Sequence, residues 1–69
     1  MFLEKLKDQI ESYSKYAQRN DPLGNLSRLY IEECKDKIER WENENNPILR
    51  KLIENEQSEY KDFLVLYIP

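Results

Sequence analysis

Apolar residues recur along the chain at intervals of three and four positions, the spacing of one face of an α-helix. The first such stripe contains Leu3, Leu6, Ile10, Tyr13 and Ala17. The second contains Leu26, Tyr30, Cys34, Ile38 and Trp41, with Leu29 beside it. The third contains Leu49, Ile53, Tyr60, Leu64 and Tyr67, with Leu52 and Phe63 beside it. Because strands need a period of two, the pattern predicts an all-α fold.

Two dipeptides, Asp21-Pro22 and Asn46-Pro47, divide the chain into three segments. An Asp or Asn side chain at a helix N-cap accepts a hydrogen bond from a free backbone N–H. Proline at the first helical position loses nothing there, and it disfavours helix at the residue before it. We therefore predict long helices over about 2–19, 22–45 and 47–67, with Asn25 as an alternative start of the second. The short connections favour antiparallel neighbours in a three-helix up-down-up arrangement. The alternative is two closely packed helices with the third shared in a dimer.

The predicted third helix has a polar interruption, because residues 54–59 (Glu-Asn-Glu-Gln-Ser-Glu) contain no apolar side chain. One interpretation is that the bundle is thin at this point or that the helix bends away. The other is a polar layer that selects register or partner, as buried polar residues do in coiled coils.

A second unusual feature of this segment is the apolar run of residues 63–68, Phe-Leu-Val-Leu-Tyr-Ile. A helix that is apolar on every side must be covered on every side, and an extended strand is also compatible with these residue types. The run either folds over the ends of the other helices or forms an interface with a partner. The second possibility predicts that the partner-binding residues of the run are Phe63, Val65, Leu66, Tyr67 and Ile68. Two further candidates are Tyr16, which lies off the first stripe, and Ile31, which lies off the second.

The length of 69 residues allows one helical domain, residues 1–69. A core of this size supplies roughly 3–5 kcal/mol, so a partner or a second copy is expected, with a homodimer as the simplest case. The net charge of −3 disfavours nucleic-acid binding, which normally requires a basic surface.

The segment at which the chain begins carries Glu4 and Lys5, so we expect no signal peptide. The longest apolar run, residues 63–68, is far shorter than the roughly 20 residues that span a bilayer, so we expect no membrane partner. The single cysteine is typical of a reducing compartment, and we expect a cytoplasmic protein. Frequent asparagine indicates an AT-rich bacterial or phage genome.

The composition offers little for catalysis, because the chain has no His, one Cys and one Gly. The usual zinc, haem and nucleophile–histidine arrangements are therefore excluded, as is a glycine-rich phosphate loop. Glu32, Asp36 and Glu39 lie on one helix face, where a solvated charged surface is expected rather than a cation site. Cys34 is expected to be a small buried hydrophobe. We predict no enzyme activity, no cofactor and no metal.

These observations favour a small protein–protein interaction module, such as a regulator, inhibitor or assembly factor, that binds through apolar helix surface. A structural homo-oligomer is the first alternative, because the same surplus of apolar residues could close a two-fold interface. A nucleic-acid accessory protein is the second alternative.

Overall fold

The computed structural model describes residues 1–68, in which every regular element is helical. The elements are α1 (Phe2–Ser14), a 3₁₀ turn (Tyr16–Gln18), α2 (Pro22–Asn43), α3 (Pro47–Glu54) and α4 (Lys61–Leu64). The all-α prediction is confirmed, and so are the two predicted breaks at the proline dipeptides. The prediction of one long helix over 47–67 is wrong, because residues 55–60 separate two short helices.

The helices α1 and α2 form an antiparallel pair. At one end of the pair, the centroids of the Phe2 and Trp41 rings lie 5.4 Å apart. Further along, the Tyr13 ring meets the edge of the Tyr30 ring at 5.0 Å. The start of α1 is therefore packed against the end of α2.

Both predicted N-caps form hydrogen bonds of the expected kind. The backbone N–H of Gly24 donates to Asp21 Oδ1 at 3.0 Å, and the N–H of Ile48 donates to Asn46 Oδ1 at 2.8 Å. The guanidinium of Arg19 lies 2.7 Å from the Asp21 carboxylate and holds the pKa of that carboxyl below its ordinary value. The cap residue of α2 therefore remains an ionised acceptor across neutral pH.

The connection between α1 and α2 approaches the first turn of α2 very closely. A Cβ atom added to Gly24 would lie 2.1 Å from the carbonyl oxygen of Arg19. Arg28 reinforces this approach by donating hydrogen bonds to the carbonyl oxygens of Ala17, at 2.6 Å, and Arg19, at 3.0 Å. Glycine is needed here because its missing side chain leaves room for the backbone of the connection.

The core lies between α1 and α2 and is completed by the C-terminal segment. Its buried members are Leu6, Leu23, Tyr30, Cys34 and Leu64, with Phe2, Ile10, Tyr13, Tyr16, Leu26, Ile38, Tyr60 and Ile68 packed around them. Much of the first and second stripes is therefore inside, as predicted. The third stripe is only partly correct, because Leu49, Leu52 and Tyr67 are 43%, 59% and 49% exposed.

The short helix α3 is held to the end of α2 by polar contacts. Arg50 Nε donates to the carbonyl oxygens of Trp41 and Glu44, and its guanidinium lies 4.2 Å from the centroid of the Trp41 ring. The indole N–H of Trp41 donates in turn to Glu54 Oε2 at 3.0 Å. No residue of α3 is buried, so this arrangement substitutes for an apolar contact.

The polar residues after α3 run along α2. Arg40 donates two hydrogen bonds to the carboxylate of Glu56, at 2.7 and 2.8 Å, and Lys37 donates to the Glu56 carbonyl oxygen at 2.6 Å. The N–H of Glu59 donates to Glu33 Oε2 at 2.9 Å. The helix therefore ends at Glu54 instead of bending, and the polar stretch follows α2 at the surface as a non-helical segment.

Candidate interaction surface

Four apolar side chains among residues 63–68 are exposed to solvent. Phe63, Val65, Leu66 and Tyr67 are 57%, 57%, 76% and 49% exposed, and we call this group the C-terminal surface. Single exposed apolar residues are ordinary, but a contiguous group in a small protein is typical of a binding site.

Hydrogen bonds and core contacts hold the segment that carries the C-terminal surface. Ser58 Oγ accepts hydrogen bonds from the backbone N–H groups of Tyr60 and Lys61, each at 3.1 Å, and so caps the start of α4. Helical hydrogen bonding extends past the end of α4, since the N–H of Ile68 donates to the carbonyl oxygen of Leu64 at 3.2 Å. Tyr60, Leu64 and Ile68 are spaced by four and pack inward, and Leu64 has no exposed surface. The outward residues are therefore presented on a helical segment whose other face is fixed in the core.

The three remaining predicted binding residues lie elsewhere. Ile68 is half-buried and packs against the core, and so does Tyr16, whose ring centroid lies 5.1 Å from the ammonium of Lys15. The prediction of Ile31 as a surface residue is wrong, because it is only 8% exposed. The cause is that α2 contacts α1, the 3₁₀ turn, α3 and α4, so more than one face of it is covered.

A second set of exposed apolar residues was not expected from the sequence. Ile48, Leu49 and Leu52 on α3 are 72%, 43% and 59% exposed, and Leu29 on α2 is 48% exposed. Hydrophobic periodicity predicts that Leu49 and Leu52 are buried, on the assumption that one long third helix packs along the other two. The signal that could have identified them is the polar stretch after Glu54, which ends α3 before it can pack along the α1–α2 pair.

The two most perturbed groups of the core are a thiol and a phenol. Burial raises the pKa of the Cys34 thiol, which is 3% exposed. Burial also raises the pKa of Tyr30, whose hydroxyl donates to Gln9 Oε1 at 3.2 Å. Both groups are thus held in their neutral forms, so neither is activated as a nucleophile.

Two of the three carboxylates in the row on α2, those of Glu32 and Asp36, lie near a cation. Asp36 Oδ2 accepts a hydrogen bond from Arg40 Nε at 3.0 Å, and Glu32 lies 3.9 Å from the ammonium of Lys35. In residues 1–68, the structure brings together no set of three metal-binding side chains of the His, Cys, Asp or Glu type. Over the same residues, no helix combines the length and apolar character needed to cross a membrane.

Comparison of the chain with protein-family models, with curated proteins and with solved structures finds no match.

Proposed function

We propose that this protein is a protein–protein interaction module, acting as a regulator, inhibitor or assembly factor, that binds its partner through the C-terminal surface. The observation that carries the proposal is the exposure of Phe63, Val65, Leu66 and Tyr67 on a segment anchored by the fully buried Leu64. Anchoring matters because an ordered apolar surface loses less conformational freedom on binding than a mobile one. The buried, unpaired Cys34 supports a reducing, cytoplasmic setting.

The size of the C-terminal surface is compatible with the centre of a modest interface. Aromatic side chains bury about 150–250 Å² each, so the exposed fractions of Phe63 and Tyr67 amount to about 200 Å². Covering that area contributes about 5 kcal/mol at about 25 cal/mol per Å², to which Val65 and Leu66 add, against an association cost of about 4–15 kcal/mol. A standard interface buries about 800 Å² per partner, so neighbouring polar residues form the rest of the contact.

A homodimer is the second candidate, and the absence of charge in residues 63–68 favours it. In a two-fold interface the same patch meets itself, so a charged patch would bring like charges together. An uncharged apolar patch avoids that repulsion. This alternative uses the same surface as the first and differs in the identity of the partner.

The solution mass of the full chain and of two matched variants tests the proposal. Leu66→Asp places a charge in the C-terminal surface, whereas Ile48→Asp places one on α3. The two positions are similarly exposed, since Leu66 is 76% and Ile48 is 72% exposed. Removing residues 63–68 is less informative, because the deletion also removes Leu64 from the core. Circular dichroism should show that both variants retain the helical content of the original chain.

A dimer that Leu66→Asp dissociates and Ile48→Asp preserves would support the C-terminal surface in its self-associating form. A monomer that binds a host protein, with binding lost in Leu66→Asp alone, would support a different partner. If both variants retained the same mass and the same binding, the C-terminal surface would have no part in association and the proposal would fail.

A further inference from the structure

A groove in two halves lies along α2. One half lies between α2 and α3, has a volume of about 550 Å³, and is lined by Leu49, Leu52 and Ile53. The other half lies between α2 and the polar segment 55–60, has a volume of about 420 Å³, and includes Leu29. The two halves share the lining residues Asp36, Arg40 and Glu56, and they adjoin at the Arg40–Glu56 ion pair, which joins the two walls. We call the whole feature the α2 groove.

The dimensions of the α2 groove correspond to those of a helix. Its α2 wall extends from Leu29 to Asn43, a separation of fourteen positions. At a rise of about 1.5 Å per residue, this wall is about 21 Å long, which matches the length of a helix of about four turns lying over the Arg40–Glu56 ion pair. Exposed leucines stand at both ends, with Leu29 at one and Leu52 at the other, and polar residues lie between them.

Folding concentrates negative charge in the α2 groove, although charge is evenly distributed along the sequence. The end of the second segment contributes the carboxylates Glu32, Glu33, Asp36, Glu39 and Glu44, and the polar segment contributes Glu56 and Glu59. Only Lys37 and Arg40 are basic, so the groove carries −5. The whole chain carries −3, which leaves the rest of the molecule at +2.

The two basic side chains of the α2 groove already form contacts within the protein. Arg40 is bound by the carboxylates of Glu56 and Asp36, and the ammonium of Lys37 donates to the Glu56 carbonyl oxygen. By contrast, the Glu32 side chain is 75% exposed, and its ion pair with Lys35 is long, at 3.9 Å. Glu39 has no salt-bridge partner among residues 1–68. The carboxylates thus dominate the field that an approaching molecule meets.

We propose that the α2 groove binds a basic amphipathic helix of another protein. Apolar side chains at the two ends of that helix pack on Leu29 and on Leu49 with Leu52, and its lysines and arginines face Glu32 and Glu39. Amphipathic helices bind grooves in this manner, with apolar anchors for affinity and charge for orientation. The proposal goes beyond the C-terminal surface, because it assigns a second and chemically different site.

Charge selects this occupant over the alternatives. A second copy of the chain presenting the same groove would bring −5 against −5. Nucleic acids and anionic membranes are repelled for the same reason. The occupant must therefore combine positive charge with apolar anchors.

Binding of a designed peptide measured by fluorescence anisotropy tests the proposal. The probe is a dye-labelled helical peptide of about 15 residues with leucines near both ends and lysines between them along the same face. Its counterpart carries glutamate in place of every lysine. We expect micromolar binding of the lysine peptide that weakens as salt is added, and much weaker binding of the glutamate peptide.

Two double variants with equal net charge locate the site. Glu32→Lys with Glu39→Lys reverses charges inside the α2 groove, whereas Glu11→Lys with Glu42→Lys reverses charges at exposed positions outside it. We expect the first pair to weaken binding about tenfold and the second less than about twofold. Leu66→Asp should leave peptide binding unchanged, which separates this site from the C-terminal surface.

Four results would overturn the proposal. Equal weakening by the two double variants would show attraction to net charge alone. Equal binding of the glutamate peptide would exclude charge recognition, and no binding of the lysine peptide would exclude the site. Loss of binding in Leu66→Asp would transfer the peptide to the C-terminal surface.

Discussion

Replacement of Gly24 by alanine is the sharpest test of the packing between the connection and α2. At most positions inside a helix this change stabilises a protein by about 1 kcal/mol, because alanine has the higher helix propensity. Here the new Cβ would lie 2.1 Å from the Arg19 carbonyl oxygen and 2.7 Å from its carbonyl carbon. These contacts involve backbone atoms, so a side-chain rotation cannot relieve them.

The expected magnitude follows from three contributions. Overpacking of a well-fitted contact costs about 1–3 kcal/mol. Displacing the Arg19 backbone also weakens the hydrogen bonds from Arg28 to Ala17 and Arg19, each of which contributes about 1 kcal/mol. The gain in helix propensity offsets about 1 kcal/mol of this. We expect a net loss of about 2 kcal/mol, which is a large part of the roughly 3–5 kcal/mol available to a core of this size.

Urea unfolding followed by far-ultraviolet circular dichroism measures the loss as a lower transition midpoint at unchanged slope. Glu42→Ala is the control, because it is an exposed position on the same helix and should change stability by less than about 0.5 kcal/mol. A Gly24→Ala protein that is more stable than the original by about the propensity difference would refute the close approach of the connection to α2.

Three further predictions concern other parts of the molecule. Cys34 should react with a thiol reagent far more slowly in the folded protein than in urea, since it is 3% exposed and burial raises its pKa; equal rates would contradict its placement. The hydrogen bonds that Glu56 accepts from Arg40 lower the pKa of the Glu56 carboxyl. The stabilisation from this pair is therefore fully present above the ordinary carboxyl pKa and is lost as the pH falls through the lowered value. Urea titrations from about pH 7 to about pH 3 should show a smaller acid loss in Glu56→Gln, by at most about 1 kcal/mol because the pair is partly exposed. Trp41→Ala should cost less than the roughly 3–5 kcal/mol of a fully buried aromatic, because the half-buried indole contacts one ring, one guanidinium and the Glu54 carboxylate; a larger loss in urea unfolding would place it in the core.

The starts of the helices could be predicted because their causes are local. Asp21 and Asn46 each precede a proline and each accept hydrogen bonds from the first turn of the helix that follows. The end of α1 was predicted less well. The hydroxyl of Ser14 donates to the carbonyl oxygen of Ile10 at 2.6 Å, and the chain tightens into a 3₁₀ turn before the predicted end.

The third segment could not be predicted as well, because its course depends on distant residues. The position of Glu56 depends on Arg40, and that of Glu59 depends on Glu33, contacts that hydrophobic periodicity does not report. The prediction that Ile31 is exposed is wrong because it assumes a single buried stripe on α2, whereas this helix has neighbours on several sides. The exposure of Leu66 was anticipated, since residues 63–68 have more apolar side chains than one face can bury.

The absence of buried residues in α3 has a consequence for native-state hydrogen exchange. An element held mainly by polar contacts, with no buried side chain of its own, can detach while the α1–α2 core remains intact, and its amide protons then exchange through that local opening. We expect the amides in the middle of α2, around the buried Tyr30 and Cys34, to stay protected until the whole chain unfolds. Exchange should then show two levels of protection, with the lower one in α3, the helix that forms a wall of the α2 groove.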